Sequence, residues 1–124
     1  MSEPKHGSTQ ALTDLLADLK AEYLIALPGK IAKLKLLTEK AEWGELSEEY
    51  HKMKGTGKTY GFPEVTLICE KMEFLALHPQ SQQQALFKQA LEVLERVRQS
   101  YEDKVPYDLK ADSSAQLILR LKTV

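Results

Sequence analysis

Apolar residues recur every three or four positions along most of the chain, the period that lays them on one side of a helix. Leu12, Leu15, Leu16, Leu19 and Tyr23 draw the first such stripe and predict a helix starting near Thr9. Pro28-Gly29 interrupts it. Proline is tolerated at a first helical position, so a second helix is expected there, carrying Leu27, Ile31, Leu34, Leu37 and Ala41 to a break at Trp43-Gly44. The third starts around Glu45 and places Leu46, Tyr50, Met53 and Gly57 on one side. Gly61-Phe62-Pro63-Glu64 reads as a breaker followed by a helix start, with proline early and glutamate in the first turn. Val65, Ile68, Cys69, Met72 and Leu75 give the fourth helix its apolar face, which ends near His78-Pro79. The fifth and longest runs from about Gln82 to Asp103, with Leu86, Ala90, Leu94, Val97 and Tyr101 on one side and Ser81 as its N-cap.

The ends differ. Residues 1–8 are polar, contain Pro4 and Gly7, and are expected to be disordered, with His6 a solvated bystander. Val105-Pro106 closes the fifth helix. In the remaining tail, Leu117, Leu119 and Leu121 alternate with Ile118, Arg120 and Lys122. That alternation suggests a strand, but a lone strand has no partner, and a short helix packed on the bundle fits as well. The chain thus divides into a disordered stretch 1–8, a helical bundle over 9–104 and a tail 105–124. Its expected class is all-α: an antiparallel four-helix bundle with an additional N-terminal helix, the short breaks favouring hairpin neighbours.

Composition narrows the options. A chain of 124 residues suits one domain with one core. With 43% hydrophobic residues, 28% charged and a net charge of −1, nothing draws it generally to nucleic acid or an anionic membrane. The single cysteine, Cys69, excludes an internal disulfide and a cysteine metal site, and reads as a small buried hydrophobe. No apolar run approaches the ~18 residues of a membrane span, and the start lacks a signal peptide, so a cytoplasmic location is expected.

The candidate chemistry lies between Tyr50 and Phe62. Two glycines, Gly55 and Gly57, fall inside the third helix, although each costs about 1 kcal/mol against alanine there. Gly57-Lys58-Thr59 matches the end of a phosphate-binding loop, but position 52 is Lys52 where the first glycine belongs, and no buried strand precedes it. His6, His51 and His78 form no spaced metal-binding pair, and no serine or cysteine pairs recognisably with a histidine. A histidine acting as nucleophile fits better. His51, Lys54, Gly55 and Lys58 share a stripe beside the core line, so His51 borders solvent with two ammonium groups within a turn or two. A neutral imidazole nitrogen can accept a phosphoryl group, the lysines can offset its charge, and Gly55 leaves room for another protein's active site. Phosphoryl transfer is mostly positioning plus electrostatics, so the partner can supply the rest.

The stretch His51, Met53, Lys54, Gly55, Thr56, Gly57, Gly61 resembles the histidine-containing phosphotransfer (HPt) domains of bacterial multistep phosphorelays, whose pattern is close to H-x-L-K-G-[SA]-[SAG]-x-x-[LIV]-G. Val65, Leu67, Cys69 and Glu73 resemble the family's next helix, and Trp43 with Leu46 its entry into the histidine helix. The resemblance spans roughly residues 25 to 100. It implies a four-helix bundle in which His51 is the phosphoacceptor, Lys54 the phosphate-steadying cation and Gly55 the clearance residue; Lys58 is added from helical spacing. Tyr50, Lys52 and Tyr60 depart from the pattern, which bears on partner choice more than on chemistry.

The resemblance further implies a phosphoryl carrier rather than a turnover enzyme. It would take phosphate from a receiver-domain aspartyl phosphate and pass it to another receiver in two-component signalling. Its partners would be response-regulator receiver domains and a hybrid histidine kinase. No cofactor of its own is expected; magnesium belongs to the partner receiver. A monomer is expected. The alternative is a helical adaptor or inhibitor that docks on a receiver or kinase without carrying phosphate, a role with no use for an exposed nucleophile. An enzyme using His51 as general base would need an orienting carboxylate, and the sequence assigns none.

Overall fold

The computed structural model describes residues 3–79 and 84–122. Among them run five α-helices and no strand: α1 Glu3–Glu39, α2 Trp43–Tyr60, α3 Pro63–Leu77, α4 Gln84–Asp103 and α5 Ser113–Leu119. A 3-10 turn at Leu109–Ala111 precedes α5. α1 lies against α2 and α4, α2 and α3 form the tightest pair, and α5 docks on α3 and α4. The all-α bundle is the expected class, but its additional helix is C-terminal.

The reason lies at Pro28, where the expected break does not occur. A proline inside a helix costs about 3 kcal/mol. Tyr23, Leu27, Ile31, Leu34 and Leu37 are all buried on one line through it. Each large aliphatic buried is worth about 1.5–3 kcal/mol, so keeping that line unbroken outweighs the proline, which stays exposed. The helix also begins at Glu3 rather than near Thr9, so residues 3–8 are helical where disorder was expected. Residues 9–18 are exposed throughout, and the first apolar stripe is therefore not core: Leu12, Leu15 and Leu16 keep about half their surface in water. Contact with the bundle starts near Lys20, whose ammonium lies 5.2 Å from the Phe62 ring centre and 5.4 Å from that of Tyr101.

Two turns set the frame for α2. Ala41, at φ 54°, reverses the chain after α1, so the break falls before Trp43 and not at Trp43-Gly44. At the other end Gly61 adopts φ 83°, a left-handed conformation open to glycine at no steric cost. The Phe62 amide then bonds back to the Gly57 carbonyl at 2.7 Å, and Pro63 opens α3 at its first position as expected. Gly57 lets the two helices close up. A Cβ there would sit 2.8 Å from Thr66 Oγ1 and 3.2 Å from the Phe62 carbonyl oxygen.

The tail resolves as helix. Asp112 caps α5 by accepting from the Ser114 and Ala115 amides at 3.0 and 3.2 Å. It also takes two bonds from Arg96, at 2.8 and 3.0 Å, and one from the Tyr107 hydroxyl. Partial burial works to raise this carboxyl, but the bonds from Arg96 and Tyr107 outweigh it and hold its pKa at about 2. Ala115 and Ile118, three residues apart, are fully buried, which a strand's alternation does not allow. Cys69 lies in the core as expected, and burial pushes its thiol pKa well up. The Ser81 cap and the Gln82 start of the fifth helix lie outside the described residues.

Candidate functional site

Leu46, Tyr50, Met53 and Gly57 turn inward on α2, as their spacing predicts. His51 comes next along the helix and so stands at the edge of that face, its side chain 66% exposed. Two bonds fix what it meets on α3. Thr66 Oγ1 donates to the Lys54 carbonyl at 3.1 Å, and Ser47 Oγ donates to that of Glu73 at 3.4 Å. This register brings Glu73 across from His51 and Lys54. Its Oε2 lies 3.0 Å from His51 Nδ1, and its Oε1 lies 2.8 Å from Lys54 Nζ.

One carboxylate therefore bridges the histidine and the lysine. Partial burial works to raise the Glu73 carboxyl, but the hydrogen bonds from Lys54 and His51 outweigh it and hold it below the ordinary glutamate range. An ionised carboxylate only accepts hydrogen bonds. Nδ1 must then carry the proton, and in the neutral ring Nε2 keeps its lone pair. The result is an imidazole with one nitrogen anchored and the other free to act as a nucleophile on an exposed surface.

The other sequence-assigned residues divide. A Cβ added at Gly55 would meet nothing within 4 Å, so the space one turn beyond His51 is open. Lys54 joins the cluster through Glu73. Lys58 does not: it is exposed, makes no ion pair among the described residues, and lies two turns away, about 10 Å along the axis. Lys52 turns instead to Glu49, which also holds Lys33. On α3, exposed Leu67 and Leu77 stand on either side of Glu73 in sequence and give the surface its apolar flanks. His78 ends α3 against the Phe74 ring, and the His6 side chain lies outside the described part. Among the described residues no group of three or more His, Cys, Asp or Glu could hold a metal, and no helix is long and apolar enough to cross a membrane.

An exposed helical histidine with a glycine gap beyond it, set in a four-helix bundle, agrees with a family model described as Hpt domain, which matches residues 10–103. The chain belongs to the Hpt domain family. No curated protein and no solved structure gives a significant match. The matched span takes in residues 10–24, which the motif-based resemblance left out. Hpt domains are phosphotransfer modules of phosphorelays and interact there with receiver domains and kinases.

The sequence places Glu73 only on the helix after the motif and assigns no carboxylate to orient His51; the structure brings it to the ring. The signal was present but indirect. A hairpin closed at Gly61 sets α3 antiparallel to α2, and a carboxylate about as far beyond the turn as His51 lies before it falls opposite.

Proposed function

We propose that this Hpt domain protein carries a phosphoryl group on His51 Nε2, taking it from the aspartyl phosphate of one receiver domain and delivering it to another. The observation that carries this reading is the Glu73 bond to Nδ1. With the proton held there, Nε2 attacks phosphorus with its lone pair, the phosphorus–oxygen bond to the partner's aspartate breaks, and a carboxylate leaves. No proton has to be removed from the attacking atom, so this chain needs no general base. The ring becomes cationic as the new bond forms, and the Glu73 carboxylate beside Nδ1–H favours that charge.

Lys54 is the cation nearest the incoming group, and Gly55 is the clearance through which the partner's aspartate approaches. Leu67 and Leu77 offer apolar contact to the receiver. Lys58, apart from the cluster, steers the partner and steadies its acidic site. Magnesium enters with the receiver, whose phosphorylated site supplies the remaining charge neutralisation. Free in the cytoplasm, the chain would meet receivers and hybrid kinases by diffusion.

The test is transfer of label from a phosphorylated receiver with magnesium present, with His51→Gln as control. Acid-labile, alkali-stable label that disappears in the control is expected. Receiver binding that survives His51→Gln, with no label on the wild-type chain from any of several receivers, would instead favour the docking adaptor.

A further inference from the structure

The outward side of α1 carries a pattern that neither the core nor the His51 site uses. Ile25, Gly29, Ala32 and Leu36 recur at spacings of four, three and four, opposite the buried line of Leu27, Ile31 and Leu34. All four are exposed; Ile25 keeps 80% of its surface and Leu36 49%. A Cβ added at Gly29 would meet nothing within 4 Å, so a second backbone can come close there. Leu15, 53% exposed, extends the same side toward the N-terminus.

Charge on this face is separated along the helix. Its first half bears Asp14, Asp18 and Glu22, and its second half Lys33 and Lys40 beside a single acid, Glu39, all exposed. Asp18, Glu22 and Lys40 make no ion pair among the described residues, whereas Lys33 is held by Glu49 of the same chain at 2.9 Å. A helix face that is acidic at one end, apolar in the middle and net basic at the other is complementary to itself when turned end for end.

We propose that the occupant of this face is a second copy of this chain, paired antiparallel through α1 about a two-fold axis near Ile25. In that register Leu15 meets Leu36 of the second copy, Ile25 meets Ala26, and Asp18 meets Lys33, each pair occurring twice by symmetry. The seam runs on three-and-four spacing from Leu15 through Asp18 and Glu22 to Ile25, Gly29, Ala32 and Leu36, about 30 Å of helix. It covers three of the large apolar side chains that α1 leaves in water. α1 contacts α2 and α4, and the His51 surface is formed by α2 with α3, so both phosphotransfer sites stay open in the pair. This replaces the expected monomer with a dimer bearing two accessible histidines. One helix pair is a small interface, so a weak, concentration-dependent association is expected.

Sedimentation equilibrium of the full chain, up to about 500 μM, tests this. The mass is expected to rise with concentration from the 14.1 kDa of one chain toward twice that value. Two charge-reversed chains make the reading specific. One carries Asp14→Lys, Asp18→Lys and Glu22→Lys; the other carries Lys33→Glu and Lys40→Glu. Each alone should remain monomeric with an unchanged helical circular dichroism spectrum, and an equimolar mixture should associate at least as well as wild type. Ile25→Asp, at an exposed position, should also abolish association. A wild-type chain that stays monomeric throughout the series overturns the proposal. So does a charge-reversed chain that self-associates like wild type, or a mixture that does not associate. Receiver-to-His51 transfer is measured separately, and its failure would leave the mass measurement unaffected.

Discussion

Replacing Glu73 with glutamine removes the charge that fixes the His51 tautomer while keeping the side chain's size. The wild-type carboxylate accepts from His51 Nδ1 at 3.0 Å and from Lys54 Nζ at 2.8 Å. A hydrogen bond to a charged group is worth about 1.5–3 kcal/mol, and the His51 side chain is 66% exposed, so water screens it and the lower end applies. About 1.5 kcal/mol lost from the transition state slows transfer roughly tenfold. The amide of Glu73→Gln can also turn its NH2 toward Nδ1, which would move the ring proton to Nε2 and block the attacking lone pair. Rapid-quench single-turnover transfer from a phosphorylated receiver reads the rate, and nitrogen NMR of the ring reads the tautomer. A merely structural role would leave the tautomer in place. A rate within twofold of wild type, with the Nδ1–H tautomer lost, would refute the claim that Glu73 sets up the nucleophile.

The two helix glycines should respond in opposite directions. Gly55→Ala gains up to about 1 kcal/mol of helix propensity in open space, yet should slow transfer by crowding the partner; a faster rate in that variant would contradict the clearance role. Gly57→Ala drives a Cβ to 2.8 Å from Thr66 Oγ1 and against the Phe62 carbonyl, so overpacking of about 1–3 kcal/mol should exceed the propensity gain and lower the urea midpoint. Tyr50→Phe should raise the midpoint by removing a fully buried hydroxyl that has no hydrogen-bond partner among the described residues, a relief of about 1 kcal/mol or more; a lower midpoint would show that the hydroxyl is satisfied. Asp112, held at about 2 against an ordinary 3.8, contributes stability that is fully present above pH about 4 and is lost as pH falls through about 2. Discounted for solvent screening, this is on the order of 1 kcal/mol, and the melting-temperature gap between wild type and Asp112→Asn should narrow over that interval; a gap undiminished at pH 2 would exclude the ionised cap as its cause.

The sequence by itself determined the helical class, the inward positions of α2 and α3, and the placement of His51 at the solvent edge of α2. All three depend on local spacing: a 3.6-residue period sorts inside from outside, and a glycine one turn past a histidine leaves its surroundings open whatever packs elsewhere. Local signals also misled. Pro28 reads as a boundary, because its cost is local while the burial of Tyr23, Leu27 and Ile31 that outweighs it depends on α2 and α4 being present. The leucines at 12, 15 and 16 have the period of a core helix, but the bundle gives them no neighbours, and periodicity cannot say where the partner helices end. The tail's alternating leucines left a strand and a short helix both open, and the helix was decided by Arg96 and Tyr107, both outside α5, which gather on Asp112 and fix its cap. Glu73 shows the same limit at the site. It lies 22 residues from His51, and only the register of the α2–α3 hairpin brings its carboxylate to the ring and decides which nitrogen is free.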